Sequence, residues 1–307
     1  MKTLRQIISE AEKQQIAIGH FNVSNLEILK AVVNAAEREK KPVIIGVSES
    51  ERDFIGLNQI MALIKSYKEE GLEIFLNADH SKSLTSAKMA ADTGFDAITF
   101  DLSGLEIEEI KKQTKELIAY AKNKNPEILI EAEINPIFGN SKILTEIPEQ
   151  LIEQFKGKNM TDPIEAERFI KETEVDLLAP AVGNMHGLLK TSFDTDYMLV
   201  DRNSKSVSWW KSEIDIERIK AIKKRVNIPL VLHGGSGIKD DVLVKAIDAG
   251  ISIIHINTEL RLTWRKVLEE LLKDDPSEIV PYKILPKVIA EIEKLVEKKL
   301  RVFNRIF

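Results

Sequence analysis

The chain contains no cysteine. That absence removes thiolate metal sites and Cys nucleophiles, and it fits a cytoplasmic protein. It also lacks any apolar run long enough to span a bilayer, and no secretory leader is expected from residues 1–10. There is no excess of positive charge. A formal net charge of -5 offers nothing to nucleic acid or to an anionic membrane. What the chain does have is length and many solvated ions. Its 307 residues can bury a large core, and charged residues, mostly Lys and Glu, make up 30%, a composition that leans thermophilic.

The stretch with most content is residues 228–237, IPLVLHGGSG. Its apolar run reads as a strand buried on both faces, as in a parallel sheet. The run stops at His233, and a glycine loop and an amphipathic helix (239–250) follow. Bare loop N–H groups beside a helix N-terminus suit a phosphate, and an imidazole beside them suits a metal.

The same unit recurs along the chain. Strands are expected at 17–23, 42–48, 73–80, 95–102, 127–133, 175–182, 228–233 and 251–257. Residues 1–15 read as an amphipathic helix covering the bottom of the fold. Ser24 with Glu27 predicts a capped helix to about residue 40, and ESERD (49–53) reads as a polar turn. Further helices are expected at 57–70, 84–94, 106–124, after Asp162-Pro163, at 215–226 and at 286–307. Residues 134–160 read as a long irregular loop, the kind that is often functional. Residues 191–213 read as an inserted β-hairpin, with Trp209 and Trp210 expected as its local core or, in the sharper reading, as an interface or substrate cover. Eight alternations predict one (β/α)8 TIM-barrel domain over 1–307. An open doubly wound sheet would need a Gly-rich turn after strand one, and 22–25 (NVSN) is not one.

All five histidines, His20, His80, His186, His233 and His255, fall at or near the carboxyl ends of expected strands. In such a barrel that end carries the active site. One histidine there is an ordinary polar residue; five argue for chemistry. His80, His186 and His233 end strands three, six and seven in this reading. Three imidazoles leave an open coordination position, as in catalytic zinc sites. Asp79, Asp101, Glu131 and Glu133 share that end. Asp79 is a candidate acid or base, although strict alternation points it away from His80. Gly187, Gly234, Gly235 and Ser236, with Asn257-Thr258, predict a phosphate site after strands seven and eight.

Taken together, the motifs HFNV (20–23), ADHS (78–81), FDLS (100–103), EAE (131–133), NMHG (184–187), LHGGSG (232–237) and NTEL (257–260) resemble those of class II, metal-dependent ketose-bisphosphate aldolases. They come in the family order over nearly the whole chain. The resemblance implies a catalytic Zn2+ on His80, His186 and His233, and Asp79 handling the proton of the hydroxyl next to the breaking bond. It implies Glu133 and Asp101 as further metal ligands for a second divalent or a monovalent cation. It places Asn22, Gly187, Lys190, Gly234, Gly235, Ser236, His255, Ile256, Asn257 and Thr258 at the substrate. A fructose 1,6-bisphosphate cleavage in the cytoplasm is then expected, by a homodimer or homotetramer whose partner is a phosphorylated ketose. Tagatose-bisphosphate cleavage, or sugar-phosphate epimerisation on the same scaffold, are the other readings. The physical logic agrees: cleavage beside a ketone leaves an enediolate, which a metal or a lysine Schiff base stabilises, and no expected strand core carries a lysine. For the far phosphate, Arg52 after strand two is the candidate.

Two departures from the family pattern stand out. IFGNSKI (137–143) lacks the acid–base Glu that the family carries on a mobile loop, so Glu146 or Glu149 is expected to replace it. His255 stands where the family has Asn.

Overall fold

Eight parallel strands close into a ring in the computed structural model of this protein, which describes residues 2–144, 149, 153, 159–189 and 214–306. In chain order the elements are α1 (Leu4–Gln14), β1 (Ile18–Asn22), α2 (Leu26–Glu39), β2 (Val43–Val47), α3 (Glu49–Ile55), α4 (Leu57–Glu69), β3 (Ile74–Ser81), α5 (Leu84–Thr93), β4 (Ala97–Phe100), α6 (Ile107–Lys124), β5 (Leu129–Glu133) and β6 (Gly139–Leu144). They continue as α7 (Pro163–Thr173), β7 (Leu177–Ala179), β8 (His186–Leu189), α8 (Ile216–Arg225), β9 (Leu230–Leu232), α9 (Asp240–Asp248), β10 (Ile251–Ile256), α10 (Thr258–Asp274) and α11 (Pro281–Phe303). The barrel runs β1–β2–β3–β4–β5–β7–β9–β10 and back to β1, a (β/α)8 TIM barrel. Among the described residues, no helix is long and apolar enough to cross a membrane. The expected hairpin at 191–213 lies outside the described residues.

Two-residue periodicity sorts the barrel interior into layers. Ile18, Ile44, Phe75, Leu129, Val231 and Ile253 form an apolar floor together with Leu4, Ile7, Ile8 and Ala11 of α1. So α1 does plug the bottom, held at its start by a Thr3–Gln6 capping box. Two residues further along the same strands stand His20, Asn77, Glu131, His233 and His255, all buried. One more step gives Asn22, Asp79 and Glu133. The interior thus turns from hydrocarbon to ionisable groups within two steps, and the helices bury the opposite faces of the strands. His20 fits because residue 46 is glycine; a Cβ there would collide with its ring.

Several local expectations change. Asn25, not Ser24, caps α2, its side chain accepting from the Ile28 N–H at 3.0 Å. Residues 49–53 are not a turn but part of α3, where Ser48 and Glu51 close a capping box. The 134–160 segment is not irregular throughout: it carries β6, which pairs in parallel with β8, Gly139 opposite His186. His186 therefore does not end the sixth barrel strand but begins a separate strand beyond it. The α10 helix went unread, and the last helix starts at Pro281, with Pro286 inside it. Either proline suits a first helical turn, so the sequence cue was ambiguous. α11 packs on α2, with Arg38 paired to Glu293 and Glu297, and Arg301 to Glu39.

Candidate active site

At the carboxyl end of the barrel a cavity of about 280 Å³ opens, with Asn22, Asp79, His80, His186, Ser236 and His255 among its lining. The barrel register alone would turn Asp79 and His80 to opposite sides. It does not, because β3 slips against β4 between Ala78 and Ser81, and His80 takes a left-handed φ of 46°. A non-glycine residue held in that region is strained, and strain of this kind gathers where geometry serves a site. Here it aims both side chains into one space.

His80, Glu133, His186 and His233 each bring a ligand atom within 4.8 Å of the others. His80 Nδ1 lies 3.4 Å from Glu133 Oε1, and His233 Nδ1 lies 3.1 Å from the same oxygen. Among the described residues, His186 Nε2, His233 Nδ1 and Glu133 Oε1 are buried with no hydrogen-bond partner. Buried polar atoms are normally satisfied, so three orphans converging on one space call for an ion. Imidazole with carboxylate is a donor set that suits a zinc-like divalent metal.

Asp101 stands outside this group. Its Oδ2 lies 3.0 Å from His80 Nδ1, and its Oδ1 accepts from the Ser103 hydroxyl at 2.7 Å. Asp101 Oδ2 thus meets the same His80 nitrogen as Glu133 Oε1. Glu131 holds His233 from the ring nitrogen that does not face Glu133, 2.7 Å from its Nε2.

The electrostatics follow from burial and these carboxylates. Burial works against charge on His80, but Asp79, Glu133 and Asp101 raise it to about 9. Burial likewise opposes charge on His233, and Glu131 and Glu133 raise it well above the usual imidazole range. The centre therefore attracts positive charge, and a metal binding there releases protons. Burial lowers His186 and His255 well below the usual range and His20 to about 4, so these three are neutral at pH 7. Burial also pushes the Asp79 carboxyl up, yet the His80, His255 and His20 rings hold it well below the ordinary range. Asp79 is thus ionised at neutral pH.

Asp79 is held from two sides. Its Oδ2 accepts from Asn22 Nδ2 at 2.8 Å, and its Oδ1 lies 3.5 Å from His255 Nδ1. The His255 ring stacks on His20 at 3.5 Å and on His233 at 4.0 Å between centroids. Asn77 anchors His20 at 3.0 Å.

The other expected residues divide. Gly187, Gly234, Ser236, His255, Asn257 and Thr258 line the cavity. Ser236 Oγ accepts from the Asn257 and Glu259 N–H groups at the start of α10. Gly235 stands back, its N–H spent on the His255 carbonyl at 3.0 Å, and Ile256 is fully buried in the core. Lys190 lies outside the described residues, as does Glu146. Glu149 is exposed and absent from the lining.

Arg52 is not at the cavity. Its guanidinium donates to the Val47 carbonyl at 2.9 Å, the Asp79 carbonyl at 3.2 Å and the Ser81 and Ser86 hydroxyls. It braces the strand ends from behind because α3, where a turn was expected, rolls it inward. The arginine that lines the cavity is Arg261, which the sequence reading missed. Its signal was available: it sits one residue beyond NTEL, in the first turn of α10. Lys142 on β6 also lines the cavity. Among the described residues, no other lysine lines the cavity.

Residues 2–306 match the family model described as fructose-bisphosphate aldolase class-II. A fructose-bisphosphate aldolase of Geobacillus stearothermophilus is 30% identical over 306 residues, 98% of this chain and 96% of its own. A 6-phospho-5-dehydro-2-deoxy-D-gluconate aldolase of Shouchella clausii is 31% identical over 302 residues, 97% of this chain and 92% of its own. Among solved structures, the YdjI aldolase from Escherichia coli K12 superposes with a TM-score of 0.77 at 26% identity, over 99% of this chain and 97% of that one.

Proposed function

The chain belongs to the class II fructose-bisphosphate aldolase family, and from that we propose that it cleaves and forms the carbon–carbon bond of fructose 1,6-bisphosphate. The products are dihydroxyacetone phosphate and glyceraldehyde 3-phosphate. As a family member it is a carbon–carbon lyase, and the family is as a rule metal-dependent. The observation that carries the reading is the meeting of His80, Glu133, His186 and His233 beside an ionised Asp79.

His80, His186 and His233, with Glu133 at their side, would hold Zn2+. When bound, such an ion supplies Lewis-acid polarisation of the substrate carbonyl. Asp79 takes the proton of the hydroxyl next to the breaking bond, while Asn22 keeps its other oxygen turned away. The near-end phosphate is placed against Gly187, Gly234, Ser236 and the start of α10, where the helix dipole favours an anion. Arg261, with Lys142, Ser48 and Ser50 around the mouth, takes the far end of the sugar. That role passes to Arg261 from Arg52.

A second substrate is favoured by one comparison. The gluconate-derived ketose phosphate named for the Shouchella relative carries a carboxylate, not a phosphate, at its far end. Arg261 suits either anion. Metal-loaded protein should release glyceraldehyde 3-phosphate from fructose 1,6-bisphosphate, and a chelator should stop it. Faster cleavage of the gluconate derivative would transfer the assignment to that substrate; failure on both would sink the aldolase reading.

The assembly we propose is a homodimer or homotetramer. Ile279 and Tyr282, 84% and 77% exposed at the elbow between α10 and α11, support it. Light scattering that gives a monomer mass would remove it.

A further inference from the structure

Glu51 has both of its carboxylate oxygens engaged at the cavity wall. A glutamate in a helix capping box usually sits at the surface and serves only its own helix. This one is 4% exposed. Its Oε2 accepts from the Ser48 N–H at 2.8 Å, which is the box, but also from Asn22 Nδ2 at 3.1 Å. The same Asn22 nitrogen donates to Asp79 Oδ2 at 2.8 Å. The other oxygen, Oε1, accepts from Arg261 Nη2 at 2.6 Å. Asn22 and Arg261 come from β1 and α10, away from the box, and both line the cavity.

The result is a chain, Arg261–Glu51–Asn22–Asp79, from the mouth of the cavity to the carboxylate beside the metal ligands. Arg261 is 37% exposed, so an unheld guanidinium there would sample many rotamers. Pinning it costs side-chain entropy once, at folding, instead of at every binding event. Asn22 faces two carboxylates with one nitrogen and cannot turn without losing both.

We infer that Glu51 is a positioning residue with two separable tasks: its Oε1 aims Arg261 at the far-end anion of the substrate, and its Oε2 fixes Asn22 and through it Asp79. The inference rests on the aldolase reading above and deepens it. Substrate selection at the mouth and proton handling at the centre then share one buried carboxylate.

The two oxygens can be tested apart. In Glu51→Gln the amide oxygen stays with the two donors, Ser48 N–H and Asn22 Nδ2, and the amide nitrogen then faces Arg261 as donor against donor. That variant should keep the base in place and release the arginine. Glu51→Ala should lose both. Two readouts separate the tasks. Cleavage of fructose 1-phosphate needs the metal centre and Asp79, but no far-end anion. The preference for glyceraldehyde 3-phosphate over unphosphorylated glyceraldehyde in condensation reads the mouth. Glu51→Gln should keep fructose 1-phosphate cleavage within about threefold of wild type and lower the preference about tenfold, as expected for one charge-assisted bond. Glu51→Ala should lower the preference and also slow fructose 1-phosphate cleavage about tenfold or more, with metal content intact. Equal losses of cleavage and preference in Glu51→Gln, or an unchanged preference in both variants, would overturn the inference. Metal-loaded wild-type protein that neither cleaves nor condenses would overturn the aldolase reading itself.

Discussion

At the scale of single residues, Asp79 and His20 show what burial does to charge. Asp79 is ionised because the charged His80 ring and the contact with His255 outweigh its desolvation. Asp79→Asn should bind substrate nearly as well and lose about 10²–10⁴-fold in rate with the metal retained, which steady-state kinetics and metal analysis will check. His20 is the opposite case: burial drops it from 6.5 to about 4. Between those values the unfolded chain takes a proton that the folded chain refuses. Stability therefore falls as pH drops from 6.5 towards 4, by up to about 3 kcal/mol from this group. Denaturant melts across that window should show a flatter pH dependence for His20→Asn than for wild type, whatever the variant's absolute stability.

At the scale of elements, the short β6–β8 pair carries His186, proposed above as a metal ligand, on a structure separate from the barrel. Gly139 takes a φ of 103° directly opposite His186, and a Cβ there would strike the His186 backbone. Gly139→Val should therefore push His186 away from His80 and His233. Metal affinity should drop about tenfold or more while the thermal midpoint of the metal-free protein hardly moves, since the barrel core is untouched. Titration of zinc into chelated protein measures the first, and a melt the second. The helix at the other end of the chain predicts the reverse pattern. α11 seats Val288, Ile292, Val296, Leu300 and Phe303 in the main core. Ile292→Ala should cost about 2–5 kcal/mol of stability and leave turnover per folded molecule unchanged, as denaturation and kinetics can show.

At the scale of the whole molecule, the barrel gathers carboxylates that only a positive charge makes tolerable. In chelated protein His80 supplies part of it, with a folded value of about 9 against 6.5 unfolded. That contribution is fully present below pH 6.5 and is lost as pH rises through about 9. A bound metal takes the proton's place. The stability gap between metal-loaded and chelated protein should thus widen from about pH 6 to about pH 9.5 in thermal melts. A gap that narrows over that range would count against the assigned ligands.

Much of this was legible without coordinates. Strand and helix periods depend on neighbours two to four residues away, so all eight barrel strands and most helices could be read from the chain. The histidines at strand ends, and the glycines and serine after β9, followed from the same pattern. What the chain could not declare was which side chains share a cavity. Arg52 and Arg261 look alike in sequence, and only the inward roll of α3 and the outward face of α10 decide that one braces strands while the other lines the cavity. Glu51 read as part of a polar turn until Arg261 and Asn22, distant in sequence, closed on it. Asp79 and His80 point together only because β3 slips against β4, a register set by barrel closure rather than by either strand. Sequence by itself determined the barrel and the kind of chemistry at its mouth, because those rest on local pattern; tertiary structure alone decided the roles at the mouth, because they arise where separate strands and helices converge.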